Sequence, residues 1–427
     1  MVKTSCWLVI SGCIMMLLAQ SVEAPYEVGT WQGFRSAAVT YTFDDQCANQ
    51  FSAAVPLFDA RGFKATFYPV INWGVNWNTL RQLVANGHEV GSHTMSHADL
   101  SKTQSQNEEN ELRESKNEID KQIPGNQCIT IAYPYCSIGT VGIISKYYIA
   151  GRTCQGQIES KTPNNFYSIS SITCGSTGGI NSTDSLNKKV NEAANSNGWC
   201  VFLVHEVNNG SGYSPIAASA IEGNLNYLSQ NKSKFWVSTF SNVVRYIKER
   251  NAVQVKSVPS ETNSFILRVT DNLPDSIYNY PITIRRPIPA NWDTVFVKQD
   301  EVTIESSVIT VNGNRYVMFD AVPDKGDVVI APALTPVQNK LYSNESPASS
   351  FVKRMANGLQ IDTRSFSGSR LKVNITGLDG KIIRTYSIDK ESAGKILLPQ
   401  SKLERSSFIV QVTDGRKTAS QMCISVN

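Results

Sequence analysis

An α/β domain over residues 25–250, followed by two small β-rich modules, is the architecture this sequence predicts. Three observations carry it. Strand-like and helix-like stretches alternate from about Ser36 to Arg250, the order that gives parallel strands with covering helices, and closure into a barrel is one way to bury every strand. After Asn251 short β-rich runs take over, punctuated by Asp-Asn, Pro-Asp and Asn-Gly turns. The apolar run Ala37 to Phe43 ends in Asp44-Asp45, so a buried strand would deliver two carboxylates at its carboxyl edge, where α/β folds keep their chemistry. Because strand side chains alternate, the two carboxylates are expected to face different ways and to do different jobs.

The chain opens with Lys3, an apolar run from Trp7 to Ala19 and small residues near Ser21 and Ala24, which together read as a secretory signal peptide over residues 1–24. That run is too short to span a bilayer, and no other stretch reads as a membrane segment. Ile10-Ser11-Gly12-Cys13 has the shape of a lipoprotein processing box, but it would leave an unusually short signal. A secreted or cell-surface location is therefore expected. Loss of the leader removes Cys6 and Cys13. Of the remaining cysteines, Cys47, Cys128, Cys136, Cys154, Cys174 and Cys200 fall in the α/β domain, and an even number in an exported protein predicts disulfides, with fifteen pairings open. Cys423 stands alone and reads as a small buried hydrophobe.

Taken in order, Phe51, Ala54, Val55 and Phe58 make one apolar helix face that ends near Gly62. Lys64 to Val70 is a strand, Leu80 to Val84 a short helix closed by Gly87, and Asn107 to Ile123 a charged surface helix. Further strands are expected at Cys128–Tyr133, Tyr148–Thr153, Phe166–Ile172, Cys200–His205 and Phe235–Val237. Helices near Ile138–Lys146, Leu186–Asn195, Ile216–Leu228 and Asn242–Arg250 separate most of them. Residues 251–333 read as a small β-sandwich, 334–350, rich in Pro, Ser and Asn, as a linker, and 351–427 as a second β-rich module.

Only four histidines occur, at positions 88, 93, 97 and 205. His93 and His97 are four apart, which on a helical turn puts both imidazoles on one face. With one carboxylate they would make a two-histidine, one-aspartate set that leaves metal positions open for water and substrate. The net charge of +4 is mild and forms no basic arm, which argues against nucleic acid and suits a neutral glycan.

Thr42-Phe43-Asp44-Asp45, Gly87-His88-Glu89-Val90-Gly91-Ser92-His93-Thr94-Met95-Ser96-His97, Tyr133-Pro134-Tyr135 and Leu203-Val204-His205 resemble, in order, the motifs of the polysaccharide deacetylases, the fourth carbohydrate esterase family. The resemblance covers roughly residues 35 to 250 and implies a distorted, incomplete (β/α) barrel. It also implies roles. Asp45, His93 and His97 would hold a divalent metal, most plausibly zinc, and Asp44 would be the base. The backbone N–H of Tyr135 would hold the oxyanion, His205 would be the general acid that an amine leaving group needs, and Leu203 would line the acetyl pocket. Trp73, Trp77 and Tyr213 fall in loops near the expected mouth, where they would either stack on sugar rings or cap the core. The last module, Leu359 to Val426, resembles the carboxyl-terminal sorting domains of bacteria with type nine secretion, which implies attachment at the cell surface.

The chain departs from the family pattern at two places. Ala132 stands where most of the family has an Arg that steadies the catalytic Asp, and between Cys154 and Cys174 only Glu159 is offered to orient the histidine. Arg152 ends the next expected strand and could reach Asp44 from there. The expected partner is an acetylated polysaccharide or oligosaccharide. N-deacetylation of N-acetylglucosamine polymers such as chitin or peptidoglycan, O-deacetylation of xylan, and carbohydrate binding without turnover all stay open.

Overall fold

The computed structural model describes residues 20–333 and, from the last module, 352–355, 358–364, 366–368, 370–377, 382–389, 394–399, 408–414 and 418–423. Residues 20–333 form one compact unit and the last module another. Most of the expected leader and all of the expected linker lie outside the described residues.

The chain enters through two short strands, β1 (Ser21–Val22) and β2 (Glu27–Val28), and then lays down β3 (Ala37–Asp44), α1 (Val55–Asp59), β4 (Thr66–Tyr68), α2 (Trp77–Ala85) and β5 (Glu89–Val90). There follow α3 (Ser105–Gln122), β6 (Thr130–Ala132), α4 (Val141–Ile144), β7 (Ala150–Arg152), β8 (Ile172–Thr173), α5 (Thr183–Asn195), β9 (Trp199–Val204), α6 (Ala218–Gln230), β10 (Phe235–Val237) and α7 (Phe240–Ala252). All eight residues of β3 are buried, as a central strand covered on both faces must be. The parallel order is β5-β4-β3-β9-β8. Single parallel bridges, Ser92 to Ile131 and Arg152 to Ile169, carry it on through the β6–β7 pair, so the strands return on themselves as a barrel. The distortion lies at β3, whose first residues pair with β10 and whose last pair with β4.

Beyond α7 come β11 (Gln254–Val258), β12 (Phe265–Thr270), β13 (Ile282–Pro287), β14 (Val295–Gln299), β15 (Val302–Ile304), β16 (Ser306–Val311), β17 (Asn314–Ala321) and β18 (Val328–Pro332). They form two sheets, ordered β1-β11-β12-β18-β14-β15 and β16-β17-β13-β2. The expected boundary at residue 250 does not separate compact units. Ser21 and Val22 pair with Gln254 and Val255, Val28 pairs with Ile284, and one continuous core joins Phe240, Val243 and Ile247 of α7 to Leu267, Ile284, Val317 and Phe319 of the sheets. The amino-terminal mouth of the barrel is stopped by Trp31, which is fully buried and donates its indole N–H to the Asn197 carbonyl at 3.3 Å. The expected leader boundary at residue 24 likewise falls inside paired structure, because β1 precedes it.

The last module contains β19 (Val352–Met355), β20 (Gly358–Asp362), β21 (Arg370–Gly377), β22 (Ile382–Asp389), β23 (Lys395–Pro399), β24 (Phe408–Thr413) and β25 (Thr418–Cys423). Its two antiparallel sheets, β19-β20-β23 and β22-β21-β24-β25, share a core of Leu359, Ile361, Val373, Ile375, Phe408 and Val410. Of the six cysteines expected to pair, Cys136 and Cys154 form a disulfide, whereas Cys47, Cys128, Cys174 and Cys200 remain thiols. Three of those four are buried and behave as small core hydrophobes. Among the described residues no helix is long and apolar enough to cross a membrane.

Candidate functional site

The carboxyl ends of the strands surround a cavity of about 550 Å³ lined by Asp44, Asp45, His93, His97, Arg152 and His205 together with Tyr135, Leu203, Tyr213 and the Cys136–Cys154 pair. Phe43 and Val204 are register partners, so Asp44 and His205 leave adjacent strands at the same level. Gln50, buried in a π-helical turn ahead of α1, donates its amide to the carbonyls of both Asp44 and His205 and fixes that level.

Strict alternation does not hold for the Asp pair. Asp45 and Gln46 sit at φ 67° and 49°, a left-handed turn that ends the strand and brings the second carboxylate back to the same cavity. His93 and His97 are not on a helical turn either. They belong to a loop in which Thr94 and His97 have φ 65° and 63°, braced by Glu111 of α3, which accepts the N–H groups of Met95 and Ser96 at 2.9 Å each. The loop reaches the expected result by another route.

His93 donates its Nδ1–H to the Ala132 carbonyl at 2.8 Å, which leaves the Nε2 lone pair facing the cavity. Asp45 Oδ1 lies 3.5 Å from His93 Nε2 and 3.6 Å from His97 Nε2. Donor atoms of these three residues all lie within 4.8 Å of one another. Burial pushes the His93 imidazole down to about 4 and lowers His97 as well, so both favour the neutral, ligating form. Burial, then the Asp44 charge, raises the Asp45 carboxyl. Asp45 Oδ1 is buried without a hydrogen-bond partner among the described residues. An acceptor left bare opposite two imidazole lone pairs fits a divalent cation better than it fits the protein alone.

Arg152 donates Nη2–H to Asp44 Oδ2, with both side chains almost wholly buried. Ala132 and Arg152 are register partners on β6 and β7, so the small residue lies directly beside the strand that supplies the guanidinium. Burial pushes the Asp44 carboxyl up, but the cationic side of the cavity, the Arg152 guanidinium first, outweighs it and holds the group below its ordinary value. His205 Nε2 stands 3.9 Å from Asp45 Oδ2, and its Nδ1 has no partner among the described residues. Glu159 does not orient it, because its oxygens accept from Ser160 and Ser170 instead.

Three of the exposed large apolar side chains stand at this cavity. Trp73 lies against His97 with ring centroids 5.0 Å apart, Tyr135 against His97 at 4.7 Å and Tyr213 against His205 at 4.9 Å. Trp77 is not with them. It opens α2, packs on the barrel core and lines a separate groove with Met95 and Lys121. Tyr135 and Cys136 both have left-handed backbones, at φ 57° and 59°, a conformation that costs on the order of 1–3 kcal/mol per non-glycine residue unless its surroundings impose it.

Gln50 carried no sequence signal, and Glu89 none beyond its place in the second motif. Glu89, buried within the second motif, accepts from Thr66, Thr130 and the Ser241 N–H at the start of α7, tying three elements beneath the site. His88 serves the core. It accepts the Ala65 N–H at Nδ1 and donates Nε2–H to Asp59.

Residues 33–143 match the family model described as polysaccharide deacetylase. A gellan lyase from a Bacillus species is 27% identical over 365 residues, which is 80% of this chain but only 14% of that protein's length. A probable polysaccharide deacetylase from Pseudomonas aeruginosa PAO1 superposes with a TM-score of 0.43 at 13% identity, covering 51% of this chain and 93% of that one. The Xyl-CE4 domain of a multidomain xylanase from the hindgut metagenome of Trinervitermes trinervoides gives 0.36 at 19% identity, covering 48% and 88%. A peptidoglycan deacetylase from Bacillus subtilis gives 0.37 at 16%, covering 50% and 92%. The family match falls on the segment that supplies Asp44, Asp45, His93, His97 and Tyr135. That segment is similar to the polysaccharide deacetylases, and the chain spans about a seventh of the length of the curated relative it matches.

Proposed function

We propose that the chain is a secreted, metal-dependent deacetylase acting on N-acetyl groups of N-acetylglucosamine-containing glycans. The observation that carries this reading is the triangle of Asp45, His93 and His97 beside an Asp44 held ionised by Arg152. Asp45, His93 and His97 would hold the cation, with zinc the best match to one carboxylate and two imidazoles. A bound divalent ion supplies Lewis acidity and eases deprotonation of water.

Every other part of the chemistry falls to this chain's residues. Asp44, buried and below its ordinary carboxyl range, accepts the proton of the attacking water. The Tyr135 peptide, at the cavity wall, stabilises the oxyanion through its N–H. His205 stands across the cavity, with Nε2 placed to give a proton to the departing amine. Leu203 forms the apolar wall for the acetyl methyl, and Trp73 and Tyr213 offer faces to sugar rings.

Release of acetate from N-acetylglucosamine oligomers and from acetylxylan, measured with and without zinc, tests the proposal. Zinc-dependent release from the first supports it. Release from xylan alone makes the chain an O-acetyl esterase, and glycan binding with no release from either makes it a lectin on this fold. The Cys136–Cys154 disulfide supports an oxidising, extracellular location, with a leader that ends before Ser21. Attachment of the last module to the cell surface is tested by fractionating cells that express the chain with and without residues 352–427.

A further inference from the structure

The loop that carries Tyr135 has few ties to the rest of the molecule. Within the turn Pro134–Cys136 the hydrogen bonds close the loop on itself, Cys136 N–H to the Tyr133 carbonyl at 3.0 Å and Ser137 N–H to the Pro134 carbonyl at 3.1 Å. Just before it, Tyr133 N–H bonds the Arg152 carbonyl at 3.2 Å. Beyond that point the Tyr135 ring packs on His97, the Ser137 side chain hydrogen-bonds Asp99, and the Cys136–Cys154 disulfide ties the turn covalently to the strand end beside it. The ring is 68% exposed and grips little. Two consecutive non-glycine residues in the left-handed region persist only where something outside them imposes that shape. The disulfide is the covalent candidate. It anchors the second left-handed residue to a position two beyond Arg152, so one crosslink braces both the Tyr135 peptide and the strand end that pairs with Asp44.

We propose that Cys136–Cys154 is a redox-sensitive clamp that positions the Tyr135 peptide, so that the reduced protein keeps its fold and its cation but loses turnover. The inference rests on the deacetylase reading for its kinetic consequence, not for its structural one. Both cysteines line the cavity and are partly exposed, so a reductant can reach them from the substrate side. A phosphine takes the crosslink apart in a balanced step. Phosphorus attacks one sulfur and the S–S bond breaks, water then supplies the oxygen of the phosphine oxide, and both sulfurs leave as thiols carrying the two protons of that water. A phosphine also avoids the chelation that a dithiol would bring to the histidines.

The test compares the oxidised full chain, the phosphine-reduced chain and Cys136→Ala/Cys154→Ala. Thiol titration confirms reduction, and each form is measured for melting temperature, zinc content, acetate release and amide hydrogen exchange. The clamp predicts that reduction lowers kcat on the order of tenfold to a hundredfold, with KM changed less than twofold and zinc retained. Exchange at Tyr135 to Ser137 should quicken while β3 and β9 stay protected. The double variant should match the reduced protein and ignore phosphine, and reoxidation of the reduced parent should restore kcat. Unchanged kcat and unchanged exchange after verified reduction overturn the clamp. Global loss of protection together with zinc, in both the reduced chain and the variant, overturns it as well, since the crosslink would then hold the fold rather than position a peptide. An oxidised parent that releases no acetate from any glycan refutes the deacetylase reading instead, and exchange at Tyr135 to Ser137 still decides the clamp.

Discussion

Arg152 and Ala132 face each other in register across the β6–β7 pair, and the guanidinium of the first reaches Asp44 beside the space the second leaves small. The two strands share one rim, so a cation on either can serve the same carboxylate. Arg152→Ala should strand a buried carboxylate, destabilising the chain by on the order of 3 kcal/mol and lowering kcat by at least about tenfold. Asp44 is held below its ordinary value in part by this cation, so its removal should shift the acid limb of the rate profile to higher pH, with zinc content unchanged. An unmoved limb with parental turnover would falsify this assignment.

His93→Ala or His97→Ala should abolish stoichiometric zinc and acetate release together, because each removes one of three protein ligands. Asp44→Asn should retain zinc and lose most of the rate, whereas Asp45→Asn should lose zinc affinity. Metal analysis of the four purified variants decides the matter, and equal zinc in Asp44→Asn and Asp45→Asn would mean that the two roles are wrongly divided.

A chain ended after Ala252 should fail to fold, although every proposed ligand precedes that point. It would strip the buried Trp236 and Tyr246 of Tyr280, their ring partner at 6.2 and 6.5 Å, open the core that they share with the sheets, and leave β1 and β2 without partners. A chain ended after Ala333 should stay soluble and active. Expression of both truncations, with circular dichroism and acetate release, checks the pair of outcomes.

Glu249 should make stability fall towards alkaline pH. Its side chain is buried on α7, accepts the Tyr280 N–H at Oε1 and turns the rest of its carboxyl to Asp271. Burial, then a hydrogen bond and repulsion from Asp271, raises its carboxyl well above the usual 4.5. A folded-state value above the unfolded one gives stability that is complete below the unfolded pKa and is lost as pH rises towards the folded one. Glu249→Gln should therefore gain roughly 1 kcal/mol or more at pH 8 relative to pH 5, read from urea midpoints at both. Equal midpoint shifts at the two pH values would contradict it.

The strands and helices with several apolar residues at regular spacing were legible in the sequence, and so was the delivery of Asp44 and Asp45 at the end of an apolar run, whereas His93 and His97 drew notice by their spacing and meet in a loop rather than on a helical turn. What stayed hidden was set by long-range contacts. β1 and β2 are two residues each and exist because β11 and β13 offer them an edge, which no local pattern reports. The left-handed turns at Asp45, Thr94, His97 and Tyr135 use residues without glycine's freedom, so the geometry that converges the site leaves no mark in composition. The thiols at Cys128, Cys174 and Cys200 were indistinguishable from disulfide partners until their burial in the core was seen.

The stitching of the first strands to the ones after α7 bears on how the chain is made. Glu23 accepts the N–H of Ser257, a partner 234 positions downstream, so the barrel floor cannot be sealed until the sheets behind it have been synthesised. Contacts of such long range slow folding, and they keep the nascent barrel open while its amino-terminal segment waits. The export proposed above would draw on that delay, since a domain that closed at residue 252 would jam a translocation pore its own tail has yet to enter.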